Sequence, residues 1–514
     1  MPIKRLVGLC LLIILFAACR TAPPRRELKQ VSEIASISPN KKFIKAHMKD
    51  GRAYVLFGWR FDEPTNTLIG NGVLLDINRK ELESRGDINK TTAKTVAPFS
   101  VPLDQVALLE TNDPGPSLAG GMIVVTGITA VMAVLCITNP KACFGSCPTF
   151  FASDGDTLSI QAEGFSTSIA PSLEKEDIDM LYTAHPSRDF VLTLTNEALE
   201  THSIRYANLL LAERDSGQRV FVTPEQTFYR CANLRVPTHC QSAYGSCRSQ
   251  LSNVDTEEYF SATDSIDLNS KEEVFLEFER TDGRPVGLVI GKRQTLLTTF
   301  LMYQGLAYMG ASATYWLAEV ERGNEKIKDG ILRLLGGIEV YYQSGDQWIL
   351  AGALDETGPI ATDYNVIPLD VPAGNVSLKL KMTKGMWRIN YVALAEMGEA
   401  VEPIVVPPDR VEQVNGSENH PLEKLVDDEE HLVTYPGDVY RIHYSLPSEN
   451  VELFLASSGY YLEWMREDWI KEQNYRMLGM MLKRPDRYLK KMAPAFKQLE
   501  PTMEATFWNS RYEK

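Results

Sequence analysis

Short runs of alternating apolar and polar residues, broken by Asp-Gly and Asn-Gly pairs, constrain this chain more than any other feature. Period-two alternation gives a strand one face for a core and one for water, and the glycine pairs mark hairpins. In residues 41–113, Phe43 to Met48 leads into Lys49-Asp50-Gly51, and Tyr54 to Phe61 returns. Asn71-Gly72 signals another turn before Val73-Leu74-Leu75, and Val101 to Leu109 closes a unit that reads as a small β-barrel or roll. In residues 147–291, Phe150-Phe151 and Leu158-Ser159-Ile160 flank Asp154-Gly155-Asp156. Val191 to Leu194, Asn208 to Ala212 and Glu273 to Glu279 are further strands, the last meeting a turn at Asp282-Gly283.

The period changes over 292–335, where Leu296, Leu297, Phe300, Leu301, Leu306 and Met309 predict one or two buried helices. Strands resume over 336–398, at Gly337 to Tyr342, Trp348 to Leu350, Val376 to Leu380 and Trp387 to Val392, and predict a β-sandwich. Residues 399–434 are Pro-rich, then acidic, and read as a linker or long loop. Residues 435–514 read as a short β segment followed by C-terminal helices from about 460, broken at Pro485 and Pro494. The expected class is mainly β with α segments: β-sandwich modules, an apolar helix or hairpin, and C-terminal helices. At 514 residues the chain exceeds one core, so several packing units are expected.

The N-terminus indicates a compartment. Lys4 and Arg5 precede an apolar run from Leu6 to Phe16, the layout of a secretory signal and too short to span a bilayer as a helix. Its end, Leu15-Phe16-Ala17-Ala18-Cys19, resembles a bacterial lipobox. The resemblance implies a lipoprotein signal peptide over 1–18, and Cys19 as the lipidated residue, with palmitate among its acyl groups. Residues 19–40 then form a tether. Arg20 stands where an inner-membrane retention Asp would be, and no acid follows in Thr21 to Arg26. Both imply an outer-membrane protein on the periplasmic face. Loss of 1–18 takes the formal charge from −14 to −16, which excludes non-specific nucleic-acid binding.

Six further cysteines, Cys136, Cys143, Cys147, Cys231, Cys240 and Cys247, are disulfide candidates in such a compartment; spacing does not choose among the pairings. No CxxC pair is present, which argues against zinc. The apolar segment 114–146 has no charge from 114 to 140. Cysteines on its far side argue against a membrane crossing, so it reads as a buried or membrane-touching helix or hairpin.

Several stretches resemble an uncharacterised family of bacterial envelope lipoproteins. They are Cys147-Pro148-Thr149-Phe150-Phe151, Ala162 to Phe165, Ser172-Leu173-Glu174 with Asp177, and Asn196 to His202. Gly358-Pro359, Pro368-Leu369-Asp370 and Trp387 to Leu394 are similar to a galactose-binding-like sandwich joined to that module, and Gly459 to Trp464 is a third match. The resemblance implies an envelope-facing lipoprotein and supplies no catalytic residues.

Neither HExxH nor GxSxG occurs. Gly287 to Arg293 lacks the glycine spacing and the Ser or Thr of a phosphate loop, and reads as a strand. Asp154, Asp156, Glu163 and Asp177 do not follow EF-hand spacing. No catalytic residue, metal or cofactor is assigned. The expected function is a non-enzymatic outer-membrane lipoprotein, a periplasmic scaffold or accessory subunit of a cell-envelope complex. Tyr460, Tyr461, Trp464 and Trp469 would share a helical face toward an envelope protein partner. The alternative is a glycan-binding or glycan-processing envelope protein, with Trp348 and Trp387 stacking on sugar rings.

Overall fold

A computed structural model of the chain describes residues 24–508 except 30, 39–40, 42, 49–51, 76–80, 86–96, 115–146, 170–173, 199, 281–282, 311–330, 356, 415, 417, 419, 428–429 and 464–471. Cys19, the apolar segment 115–146 with Cys136 and Cys143, and Trp464 and Trp469 lie outside the described residues. The chain is mainly β, as its alternation predicts, and divides into two compact units. Among the described residues no helix is long and apolar enough to cross a membrane.

The first unit is a 7-stranded antiparallel sheet. Its strands are β1 (Pro24–Lys29), β2 (Phe43–Met48), β3 (Ala53–Asp62), β4 (Thr67–Leu75), β5 (Glu81–Arg85), β6 (Phe99–Pro102) and β7 (Val106–Pro114). They are ordered β1-β7-β2-β3-β4-β5, with β6 also on β4. Ile44, Leu56, Leu68, Val101 and Leu109 fill its core. Residues 24–29, expected in a tether, form an edge strand on β7. Asn71-Gly72, expected as a turn, lies inside β4. The glycine is needed for close approach: a Cβ at Gly72 would come within 1.9 Å of the Val55 carbonyl oxygen.

The second unit stacks further sheets. From the N-terminal side come β8 (Thr149–Asp154), β9 (Thr157–Glu163), β10 (Lys175–Met180), β11 (Asp189–Thr195) and β12 (Glu200–Glu213). Next come β13 (Arg219–Val222), β14 (Phe228–Arg235), β15 (His239–Ser242), β16 (Gly245–Ser246), β17 (Tyr259–Phe260), β18 (Lys271–Phe278) and β19 (Val286–Gln294). After the helix Leu297–Met309 follow β20 (Ile338–Ser344), β21 (Gln347–Leu354), β22 (Asp363–Leu369), β23 (Val376–Thr383) and β24 (Trp387–Val401). The last strands are β25 (Ile404–Val406), β26 (Arg410–Gln413), β27 (Leu432–Thr434), β28 (Val439–Ser445) and β29 (Val451–Glu463).

An outer sheet β26-β28-β11-β8-β9 packs against a central sheet β10-β29-β12-β25, to which β27 adds on β12. Phe150, Leu192, Leu209, Leu211, Ile442 and Leu453 form the core between them. The opposite face of the central sheet, with Leu210, Ala212, Phe454 and Ala456, meets Val220, Val289, Val366 and Ala393 of a third sheet, β14-β13-β22-β19-β24-β17. A fourth sheet, β16-β15-β18-β23-β20-β21, approaches the third where Gly352 lies against Ile367. The sandwich expected over 336–398 thus recruits strands from β13 onward. The expected linker 399–434 contributes β25, β26 and β27 to the first pair of sheets. Its prolines sit between short edge strands, where a missing N–H costs little.

Residues 460–463 continue a strand, and among the described residues the C-terminal helices begin at Tyr475. Tyr460 and Tyr461 belong to β29, paired with Ser203 and His202 of β12, and are 2% and 4% exposed. Neighbours in a strand point to opposite faces, so the shared helical face expected for them does not exist. The break expected at Pro485 is present, between the helices Tyr475–Lys483 and Pro485–Trp508, but the latter runs through Pro494 and Pro501 without the second expected break. Packing holds it: Phe496 meets Phe300, and Glu500 accepts the Thr263 N–H at 2.6 Å.

Phe454 is fully buried in β29, with its ring edge-on to Phe228 of the third sheet. Phe454→Ala should cost about 3–5 kcal/mol. Denaturant unfolding followed by both tryptophan fluorescence and far-ultraviolet dichroism should show one shifted transition.

Candidate functional site

Two places in the second unit gather side chains able to bind a ligand. The first is the exposed face of the fourth sheet. In β18, alternation turns Glu273 and Phe275 outward and buries Val274 and Leu276. The strand register sets Phe275 beside Lys379, Lys379 beside Tyr341 and Tyr341 beside Leu350. Trp348 lies with its ring centroid 5.8 Å from that of Phe275. The Lys379 ammonium sits 5.1 Å from the Trp348 ring centroid and 5.0 Å from that of Tyr341. Phe275 and Leu350 remain 38% and 53% exposed.

Polar bonds fix this platform. Lys379 Nζ donates to Glu273 at 2.9 Å, Tyr341 Oη to Glu339 at 2.6 Å, and Lys381 Nζ to Glu339 at 3.1 Å. The bond to Glu339 pushes the Tyr341 phenol up to about 12, so it stays protonated as a donor. Trp387, the second sugar-stacking candidate, is 2% exposed and belongs to the core, so only Trp348 is available to a ligand.

The second place is an acidic cleft of about 230 Å³ between β10 of the central sheet and β19 and β22 of the third. Asp177 and Asp179 are two apart in β10 and share a face, as do Asp363 and Asn365 in β22. Register sets Lys292 of β19 opposite Asp363. Lys292 Nζ donates to Asp363 Oδ2 at 2.6 Å and to Asn365 Oδ1 at 2.5 Å. Burial, then the charge of Asp363, pushes Asp177 up to about 6. Burial and the neighbouring carboxylates also push Asp179 upward. Beside the cleft, burial pushes Glu163 up to about 7, although it accepts the Ile360 N–H at 2.6 Å.

Of the acids weighed as calcium ligands, Glu163 and Asp177 come into electrostatic range, while Asp154 and Asp156 lie at the β8–β9 hairpin. No set of three or more His, Cys, Asp or Glu residues is placed to hold a metal among the described residues. The rejected phosphate-loop stretch is indeed β19, and its Lys292 is the cation of the cleft. Asp179, Asp363 and Asn365 carry no motif in the sequence, and Lys292 appears there only within the rejected phosphate loop. Their one signal is polar residues at alternate strand positions.

Of the four disulfide candidates among the described residues, two pair and two do not. Cys240 and Cys247 form a disulfide across the β15–β16 turn, with Cα atoms 5.3 Å apart. Cys147 and Cys231 are buried free thiols, not disulfide partners. Cys231 packs in the core between the central and third sheets, whereas Cys147 points at the Ser166 carbonyl, 3.6 Å away. Burial pushes the Cys231 thiol up to about 12 and raises Cys147 as well. Both are therefore inert as nucleophiles near neutrality.

A buried Ser203–His431 contact of 2.7 Å and a His202–Glu200 contact of 2.8 Å are made by neighbouring residues of β12, on opposite faces of the central sheet. Ser203 is 5% exposed and the other three are fully buried, so they brace strands β12 and β27.

No family model and no curated protein matches the chain. Among solved structures, the secreted serine protease VesC from Vibrio cholerae is 9% identical with a TM-score of 0.14, over 74% of this chain and 92% of that one. A mutant VP2 protein of infectious bursal disease virus, in derived T=1 particles, is 8% identical with a TM-score of 0.16, over 95% and 93%.

A carboxyl whose folded pKa lies above its unfolded value costs stability as pH rises between the two. For Glu163 that window runs from 4.5 to about 7. Glu163→Gln keeps an acceptor for the Ile360 N–H and removes the charge. The variant should gain about 3 kcal/mol over the parent at pH 8 and little at pH 4, as urea unfolding at the two pH values will measure.

Proposed function

We propose that the chain is a non-enzymatic, lipid-anchored envelope protein of the outer membrane that binds glycan on the exposed face of its fourth sheet. The observation that carries this reading is the partly buried Trp348 ring beside the exposed Phe275, with Lys379 over its face and bonded to Glu273. A pyranose ring has an apolar C–H face and a rim of hydroxyls. Aromatic rings interleaved with fixed donors and acceptors match both. A purely apolar patch would instead suit a protein partner. The reading rests the binding role on this sheet because Tyr460 and Tyr461 are buried. The N-terminal lipobox-like segment supports the envelope assignment.

Titration calorimetry with peptidoglycan- and lipopolysaccharide-derived oligosaccharides tests the reading. Trp348→Ala should weaken binding about tenfold, equivalent to about 1.4 kcal/mol, with unchanged thermal stability. Phe275→Ala should weaken it less. Binding that survives both changes, or no binding by the parent chain, would remove this function.

A further inference from the structure

The acidic cleft carries more negative charge than its own cations neutralise. Glu176, Asp177 and Asp179 from β10, Asp363 from β22 and Asp355 after β21 line it. Lys175 of β10 and Lys292 of β19 oppose them. Asp179 is 6% exposed, and its Oδ2 has no hydrogen-bond partner. Asp363 Oδ1, on the opposing strand, has none either. Two residues from different sheets that line one cavity therefore each carry a buried, orphaned carboxylate oxygen. Buried acceptors of this kind are costly unless something donates to them.

The remaining wall shows which donor suits the site. The Lys292 ammonium is held there between a carboxylate and an amide oxygen, at 2.6 and 2.5 Å. A metal ion fits less well, because no three acidic, His or Cys side chains converge at ligand distance among the described residues. An ammonium group accepts looser and more widely spaced oxygens, with three donors to distribute. A volume of about 230 Å³ with Thr223, Gln226 and Asn365 on its lining suits a short polar molecule. We propose that this cleft binds a small free organic amine through its ammonium group, with Asp179 as the principal acceptor and Asp177 and Asp363 beside it.

Putrescine, titrated calorimetrically into the full chain, is the probe, with calcium chloride in a separate titration. Saturable putrescine binding is expected at pH 8, weakening at least tenfold by pH 5 as the carboxyls of the lining protonate. Asp179→Asn should lose at least tenfold in affinity while its ligand-free melting temperature rises, because a buried unpaired charge is removed. Asp156→Asn, in the exposed β8–β9 turn, should bind as the parent does. Should Asp179→Asn fail to fold, Asp177→Asn carries the same test. The proposal is overturned if putrescine does not saturate, if the cleft variant that folds binds it as tightly as the parent, or if calcium saturates the chain and putrescine does not. The outcome is independent of Trp348→Ala, so it stands or falls apart from the glycan reading.

Discussion

The second unit depends on the antiparallel pairing of β12 with β29. Thirteen residues of each strand lie in register from Glu200–Glu463 to Glu213–Val451, with one irregularity between Ile204 and Tyr206. Residues 214–450 lie between the paired ends, so the contact closes a very long loop. That entropy is lost once and grows only slowly with loop length. What repays it is burial on both faces: Leu209 and Leu211 enter one core, Leu210 and Ala212 the other. A central sheet covered on both sides then positions every other sheet of the unit.

The inserted strands are tied to this pair at the point of entry. Arg219, first residue of β13, grips Glu452 of β29 with two bonds of 2.6 and 2.8 Å, and its guanidinium stacks 3.8 Å above Tyr182. Glu452 is 4% exposed, so a planar, bidentate partner is what makes its burial tolerable. The same arrangement recurs where the last helix docks: Arg293 bonds Glu258 at 2.6 and 2.7 Å, and both Arg293 and Arg388 reach Glu504. Against this habit of pairing, Asp179 stands out. Its neighbours are mostly carboxylates, and the Lys292 ammonium in the cleft is engaged with Asp363 and Asn365.

Much of the β architecture was legible because it is local. Asp154-Gly155 sits at the predicted hairpin, with Gly155 at φ +62°, a conformation glycine adopts without strain. The strands on either side of Lys49 to Gly51 likewise pair antiparallel, His47 with Ala53. Errors arose where tertiary contact overrides local pattern. Asn71-Gly72 carries the strongest short turn signal, yet its glycine serves close strand approach. Tyr460 and Tyr461 suit a helix face only together with Trp464 and Trp469, but both tyrosines pair along β12 as part of a long strand.

The candidate sites divide along the same line. Trp348 lies on a sheet face that stays partly open while Trp387 is buried in the core, and side-chain type does not reveal which face of a strand is covered. The cleft was invisible for a stronger reason. Its acids come from β10 and β22, which join only because the insertion folds the third sheet onto the central one. A pair of carboxylates at alternate positions in one strand is ordinary on a solvated face. It becomes chemistry only when a second sheet removes the water, and that event is encoded in the β12–β29 closure, not in the local sequence of either pair.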